Sequence, residues 1–147
     1  CISLGDDHCS LYIWLGSKMG GGICSADFDV MDVNGNIYSH HFHQLKSLFD
    51  IRNFGKCYGF SLGFSRNMLQ YILPMPDIHQ HDTFIAMIGQ MKGKFFVLHE
   101  STAAHRWTGD NNVSNTGVSE PFWIKVCARL KIYSIAIWRC MTIKQPL

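Results

Sequence analysis

The stretch ICSADFDVMDVNGNIYS, residues 23–39, decides the fold. Ile23, Ala26, Phe28, Val30 and Met31 stand among acids between Ile23 and Val33, and the run stops at Asn34-Gly35-Asn36. Asn-Gly between apolar segments is the strongest short-range hairpin signal, because a tight turn needs residues that tolerate positive φ. The stretch reads as strand, turn, short strand.

Downstream, Gln44 to Asp50 reads as a short helix, Tyr58 to Phe64 (YGFSLGF) as a buried strand, and Arg66 to Ile72 as a helix stopped by Pro74 and Pro76. His81 to Lys92 places Phe84, Ile85, Ile88 and Met91 at the 3.6-residue period of a helix with one buried face, and Gly93 ends it. Lys94 to His99 (KFFVLH) is a strand. Ser101 to Trp107 is an extended segment leading into a loop rich in Asn and Gly, Thr108 to Thr116. A last helix runs from about Glu120 to about Met141. Short apolar runs alternating with helices define an α/β class, with a mixed sheet and flanking helices in a single domain over residues 1–147.

Composition bounds the rest. Of the 147 residues 47% are hydrophobic and 16% charged, enough apolar material for a core and far from a disordered chain. The formal net charge of +2 is too even to indicate nucleic acid. No apolar run is long enough for a membrane span, and the N-terminus lacks the pattern of a signal peptide, so a cytoplasmic setting is expected. The six cysteines, Cys1, Cys9, Cys24, Cys57, Cys127 and Cys140, form no C-x-x-C pair and read as reduced, mostly buried thiols.

Among residues able to carry chemistry, Asp82 falls at or near a helix N-terminus after a proline-punctuated loop, PMPDIHQHDTFIA. There a carboxylate caps the backbone, faces a cleft, or serves as a general base. The order YGFSLGFSRNMLQYILPMP, HQHDTFIAMIGQMKGKFFVLHES and AHRWTGDNNVSN resembles the C-terminal half of glycosyltransferase family 2, particularly its rhamnosyltransferase-like members. That family follows a "G-x-x-x-x-F-x-R" strand with "lP.P", an "hD.w" helix, a "g.i.fl.e" strand and a "YR.HG.N.S" loop. Upstream, residues 23–39 resemble its "ysD..liDe.G" strand and turn, so the resemblance covers about residues 23 to 116.

The resemblance implies a partial GT-A-like fold, specifically the C-terminal portion of a catalytic domain whose nucleotide-binding strands precede Cys1. The implied reaction is an inverting transfer of sugar from a nucleotide-diphosphate donor to a saccharide or lipid-linked acceptor, in bacterial surface polysaccharide synthesis. Asp82 would be the general base. Arg106 would pair with the departing diphosphate, since a planar fork of donors suits phosphate oxygens, and His81 and Trp107 complete the substrate-binding set. Asp6 and Asp7, in CISLGDDHCSLYIWLGSK, resemble the last two acids of the family's "D-x-D-D" cluster and would hold a divalent cation, magnesium or manganese. Gly5 stands before them, the cluster's first Asp is missing, and HCSLY intervenes before Ile13.

Two other readings stand beside this one. The missing donor half and the incomplete acidic cluster suit a noncatalytic remnant or interaction module. His40, His41 and His43, with His79, His81 and Asp82 in H-x-H-D, suggest part of a zinc hydrolase site, although Thr83 takes the place of the next histidine. Finally, the last helix places Lys125, Arg129, Lys131 and Arg139 in one arc and Phe122, Trp123, Val126, Leu130, Tyr133, Ile137 and Trp138 opposite. This apolar arc is expected to pack on its own domain. The alternative is peripheral contact with anionic membrane, at the inner face of the plasma membrane.

Overall fold

The computed structural model describes residues 2–3, 21–40, 57–106 and 121–143. They form β1 (Ile2–Ser3), β2 (Ile23–Met31), β3 (Ile37–Ser39), β4 (Leu62–Phe64), α1 (Leu69–Ile72), α2 (His81–Met91), β5 (Phe95–Arg106) and α3 (Phe122–Thr142), with 3-10 turns at Gly59–Ser61 and Arg66–Met68. The chain is thus a mixed α/β structure, as expected. The short helix expected at Gln44 to Asp50 lies outside the described residues.

One mixed sheet organises the fold, in the order β1-β5-β2-β3, with β4 also paired to β2. β2 and β5 are parallel, from Ile23 opposite Phe95 to Met31 opposite Arg106. The other pairings, β1 with β5 and β3 and β4 with β2, are antiparallel. The expected hairpin is present. Asp32 accepts hydrogen bonds from the backbone N–H groups of Asn34 (2.9 Å) and Asn36 (2.8 Å), and Gly35 takes the positive φ of 93° that the turn requires. These bonds favour the ionised carboxylate, so the Asp32 pKa is lowered, chiefly by Asn36.

Two strand expectations are corrected. The expected strand and the extended segment after it are one strand, Phe95–Arg106, because β5 continues through a bulge. Ala26 faces Leu98 while Asp27 faces Ser101, which leaves His99 and Glu100 as extra residues that the alternation of the sequence cannot cross. Tyr58 to Phe64 is not a buried strand throughout. Only Leu62–Phe64 pairs with β2, and the preceding Gly59–Ser61 turns away with Phe60 exposed.

Every residue of β2 is buried, as fits a strand paired on both edges. Side chains alternate, so Ile23, Ser25, Asp27 and Asp29 share one face and Cys24, Ala26, Phe28 and Val30 the other. The first face meets α2. Gly89 lies so close that a Cβ there would stand 3.0 Å from Ile23 Cβ and 3.1 Å from Phe95 Cδ2. Phe84 and Ile88 of α2 are fully buried with Ile23, Met68, Tyr71 and Ile72, each worth about 1.5–3 kcal/mol of transfer from water. On the second face Phe28, Val30 and Ala103 cluster with Tyr58.

α3 closes the first layer, but not with the arc that the sequence suggests. Ile132 and Ala136 are its buried apolar residues, and Trp123, Leu130, Ile137 and Trp138 are exposed. Arg139 also departs from its expected place in a solvated polar arc, for it is 7% exposed. Its Nη1 donates to the carbonyl oxygens of Tyr71 (3.1 Å) and Ile72 (2.6 Å), its Nη2 to that of Pro74, and the guanidinium lies 5.4 Å from the Phe84 ring centroid. A helix leaves its last carbonyls without intrahelical donors. Arg139 supplies donors at the end of α1 from a distant part of the chain.

Candidate functional site

In open α/β sheets, ligands collect beyond the carboxyl ends of parallel strands. Here the C-terminal halves of β2 and β5 hold Asp29, His105 and Arg106, with Asp27 and Ser101 paired at mid-strand behind them. α2 approaches it with its N-terminus. Gly89, near the C-terminus of α2, packs against the first residues of both strands, so the helix runs antiparallel to them and carries His81 and Asp82 toward their far ends.

Asp82 is the second residue of α2, half-buried in the first turn. It is not the N-cap, which is Gln80, without a side-chain cap bond. Asp82 Oδ1 accepts a hydrogen bond from Thr83 N at 2.7 Å, which uses one oxygen for an otherwise unpaired helix donor. The residues around Asp82 feel its charge. Burial pushes the Cys57 thiol up to about 12 and raises the Tyr58 phenol, and in both the negative charge of Asp82 adds to the shift.

Tyr58 belongs to an aromatic group on the second face of the sheet. Its ring meets Phe28 edge to face at 5.1 Å, and Phe60 stacks on His105 at 5.1 Å with an interplanar angle of 7°. Burial lowers the His105 pKa.

The acids of β2 form the polar part of the site. Asp29 Oδ1 accepts from Ser101 Oγ at 2.5 Å, and Asp29 Oδ2 lies 3.0 Å from His40 Nδ1. Asp27 Oδ1 accepts from Phe28 N at 2.9 Å. Ser25 Oγ, on the same strand face, and Thr83 Oγ1, in the first turn of α2, are buried without a hydrogen-bond partner among the described residues.

Of the residues singled out from the sequence, the structure brings Asp82 and His81 to the strand-end region, with His81 exposed. Arg106, opposite Met31 at the end of β5, is exposed at the same end of the sheet. Trp107, Asp6 and Asp7 lie outside the described residues. Sequence reasoning missed Asp27, Asp29, His40 and Ser101 as a group. The available signal was two acids inside an otherwise apolar strand, a pattern that a buried central strand tolerates only when the carboxylates are hydrogen-bonded.

Among the described residues no three His, Cys, Asp or Glu side chains gather as a candidate ligand set, and His79, His81 and Asp82 do not make one. His41 and His43 lie outside the described residues. The described cysteines, Cys24, Cys57, Cys127 and Cys140, are free thiols. Cys24 and Cys57 are buried as expected, whereas Cys127 is exposed. No protein-family model matches the chain, and neither a curated protein nor a solved structure matches it.

Proposed function

We propose that this chain is the acceptor-side part of a GT-A glycosyltransferase of family 2 and that Asp82 is its general base. The observation that carries the reading is a half-buried carboxylate at the N-terminus of α2, delivered to the carboxyl ends of a parallel strand pair. The order of motifs from residue 23 to residue 116 supports it, with ILPMP before the helix and the β5 strand after it.

In this mechanism the acceptor hydroxyl attacks the anomeric carbon of a nucleotide-diphosphate sugar from the side opposite the leaving group. The new carbon–oxygen bond forms as the bond to the diphosphate breaks, and configuration inverts. Asp82 takes the hydroxyl proton through the oxygen that Thr83 N does not occupy. Arg106, at the end of β5, receives the diphosphate charge through its planar fork of donors, with His81 and Trp107 as neighbours on the substrate. The reading includes magnesium or manganese at Asp6 and Asp7 as counter-charge to the diphosphate. Proton transfer to Asp82 does not depend on that ion.

The test is Asp82→Asn in the full-length protein, assayed for sugar transfer and donor hydrolysis over a panel of nucleotide-diphosphate sugars. An asparagine carbonyl still accepts from Thr83 N, so the far-UV spectrum and melting should be unchanged while turnover falls by about two to four orders of magnitude. Asp77→Asn is the control. The Asp77 side chain is exposed, and it is the backbone carbonyl of that residue that Lys131 Nζ meets at 2.8 Å. Transfer by Asp82→Asn at close to the wild-type rate would reduce Asp82 to a first-turn helix residue.

A further inference from the structure

Opposite its buried line of Ile132 and Ala136, α3 presents a second apolar line that the rest of the described structure does not cover. Trp123 and Met141 are 18 positions apart, about five helical turns, so they share one azimuth, with Leu130 and Ile137 close to it and Trp138 alongside. Their exposures are 72%, 78%, 59%, 46% and 63%. At the start of the helix Phe122 and Trp123 meet edge to face at 5.5 Å, and both are exposed. A continuous stripe of this kind, in place of scattered single side chains, marks an interaction surface.

The charges along α3 select the occupant. The helix contains no Asp or Glu, and Arg129 and Lys131 are exposed to either side of the stripe. A second copy seated there would bring two helices of like charge together, which is costly. Lipid phosphates meet the same cations favourably, and tryptophan belongs at the headgroup level. No helix among the described residues is long and apolar enough to cross a membrane, so α3 would lie along the surface. We infer that α3 is an interfacial helix that seats the protein on an anionic bilayer. Trp123, Leu130, Ile137, Trp138 and Met141 enter the acyl boundary, and Arg129 and Lys131 meet the headgroups.

The experiment is co-sedimentation of the whole chain with vesicles of phosphatidylglycerol and phosphatidylcholine, against vesicles of phosphatidylcholine alone, at low and high salt. Binding should require the anionic lipid and fall with salt. Trp123→Ala, Leu130→Ala and Trp138→Ala together should weaken it by more than about 100-fold, because each removes a large apolar side chain from the acyl boundary. Arg129→Gln and Lys131→Gln should each weaken it by about five-fold at low salt. All substituted side chains are exposed, so a circular dichroism melt should show the variants folded. Absence of binding by the wild type, or equal binding to neutral vesicles, would overturn the inference. So would a wild-type dimer in sedimentation velocity that becomes monomeric in the triple variant, because the stripe would then be an interface between copies.

Discussion

Replacing Arg139 by methionine should cost the fold about 2–4 kcal/mol. The substitution keeps an unbranched stem of similar reach but removes every donor from a guanidinium that serves the carbonyls of Tyr71, Ile72 and Pro74. Tyr71 and Ile72 are 2% and 1% exposed, so water does not easily replace the lost donor at either carbonyl. A buried acceptor left unpaired costs about 1–3 kcal/mol, and two of them, less the desolvation that the absent charge no longer suffers, give the stated range. Arg139→Lys should recover only part of the loss, since an ammonium is a compact charge and cannot span three carbonyls as a planar fork does. Urea unfolding followed by far-UV circular dichroism measures the effect. The methionine variant should unfold at a midpoint roughly 1–2 M lower, with an unchanged slope. The exposed control Arg129→Met should stay within about 0.5 kcal/mol of wild type. An Arg139→Met variant as stable as that control would show that the guanidinium does not hold the end of α1.

Thiol labelling should separate the cysteines. Cys24 and Cys57, pushed by burial up to about 11 and about 12, should resist iodoacetamide at neutral pH, while Cys127 is alkylated at once, as read by peptide mass spectrometry. The folded state binds these two protons more tightly than the unfolded chain, whose thiols titrate near 9. Their contribution is therefore whole below pH 9 and is lost as pH rises from about 9 toward 12, which urea midpoints measured across that range would show. Gly89→Ala should destabilise by about 1–2 kcal/mol in the same unfolding assay although alanine favours helices, because its methyl would press on Ile23 Cβ, which cannot swing aside.

The β2–β3 hairpin and α2 were legible in the sequence, the first from Asn34-Gly35-Asn36 and the second from its apolar period and Gly93, which takes φ 63° at the helix end. Both signals are local. The continuity of β5 was not legible, because His99 and Glu100 break the alternation and only the register against β2 shows the bulge. α3 was found in the right place with the wrong face inward. Ile132 and Ala136 lie on one side and Leu130 and Ile137 on the other, and a helix apolar on both sides does not reveal which side meets the core. Asp82 was legible from its place after a proline loop. The effect of its charge on Cys57 and Tyr58 was not, since nothing within one segment announces an electrostatic influence on another.

The parallel pairing at the centre of the sheet also sets the order in which the molecule can be made. Asp29 and its partner Ser101 are 72 residues apart, so at ordinary rates of synthesis β2 leaves the ribosome roughly 4–14 s before its parallel neighbour. β3 follows within a few residues and can pair at once along one edge. The other edge of this fully buried strand waits, with its backbone donors and acceptors open to any extended chain nearby. Nascent chains of this protein are thus most open to mispairing during that interval, before the sheet that protects them exists.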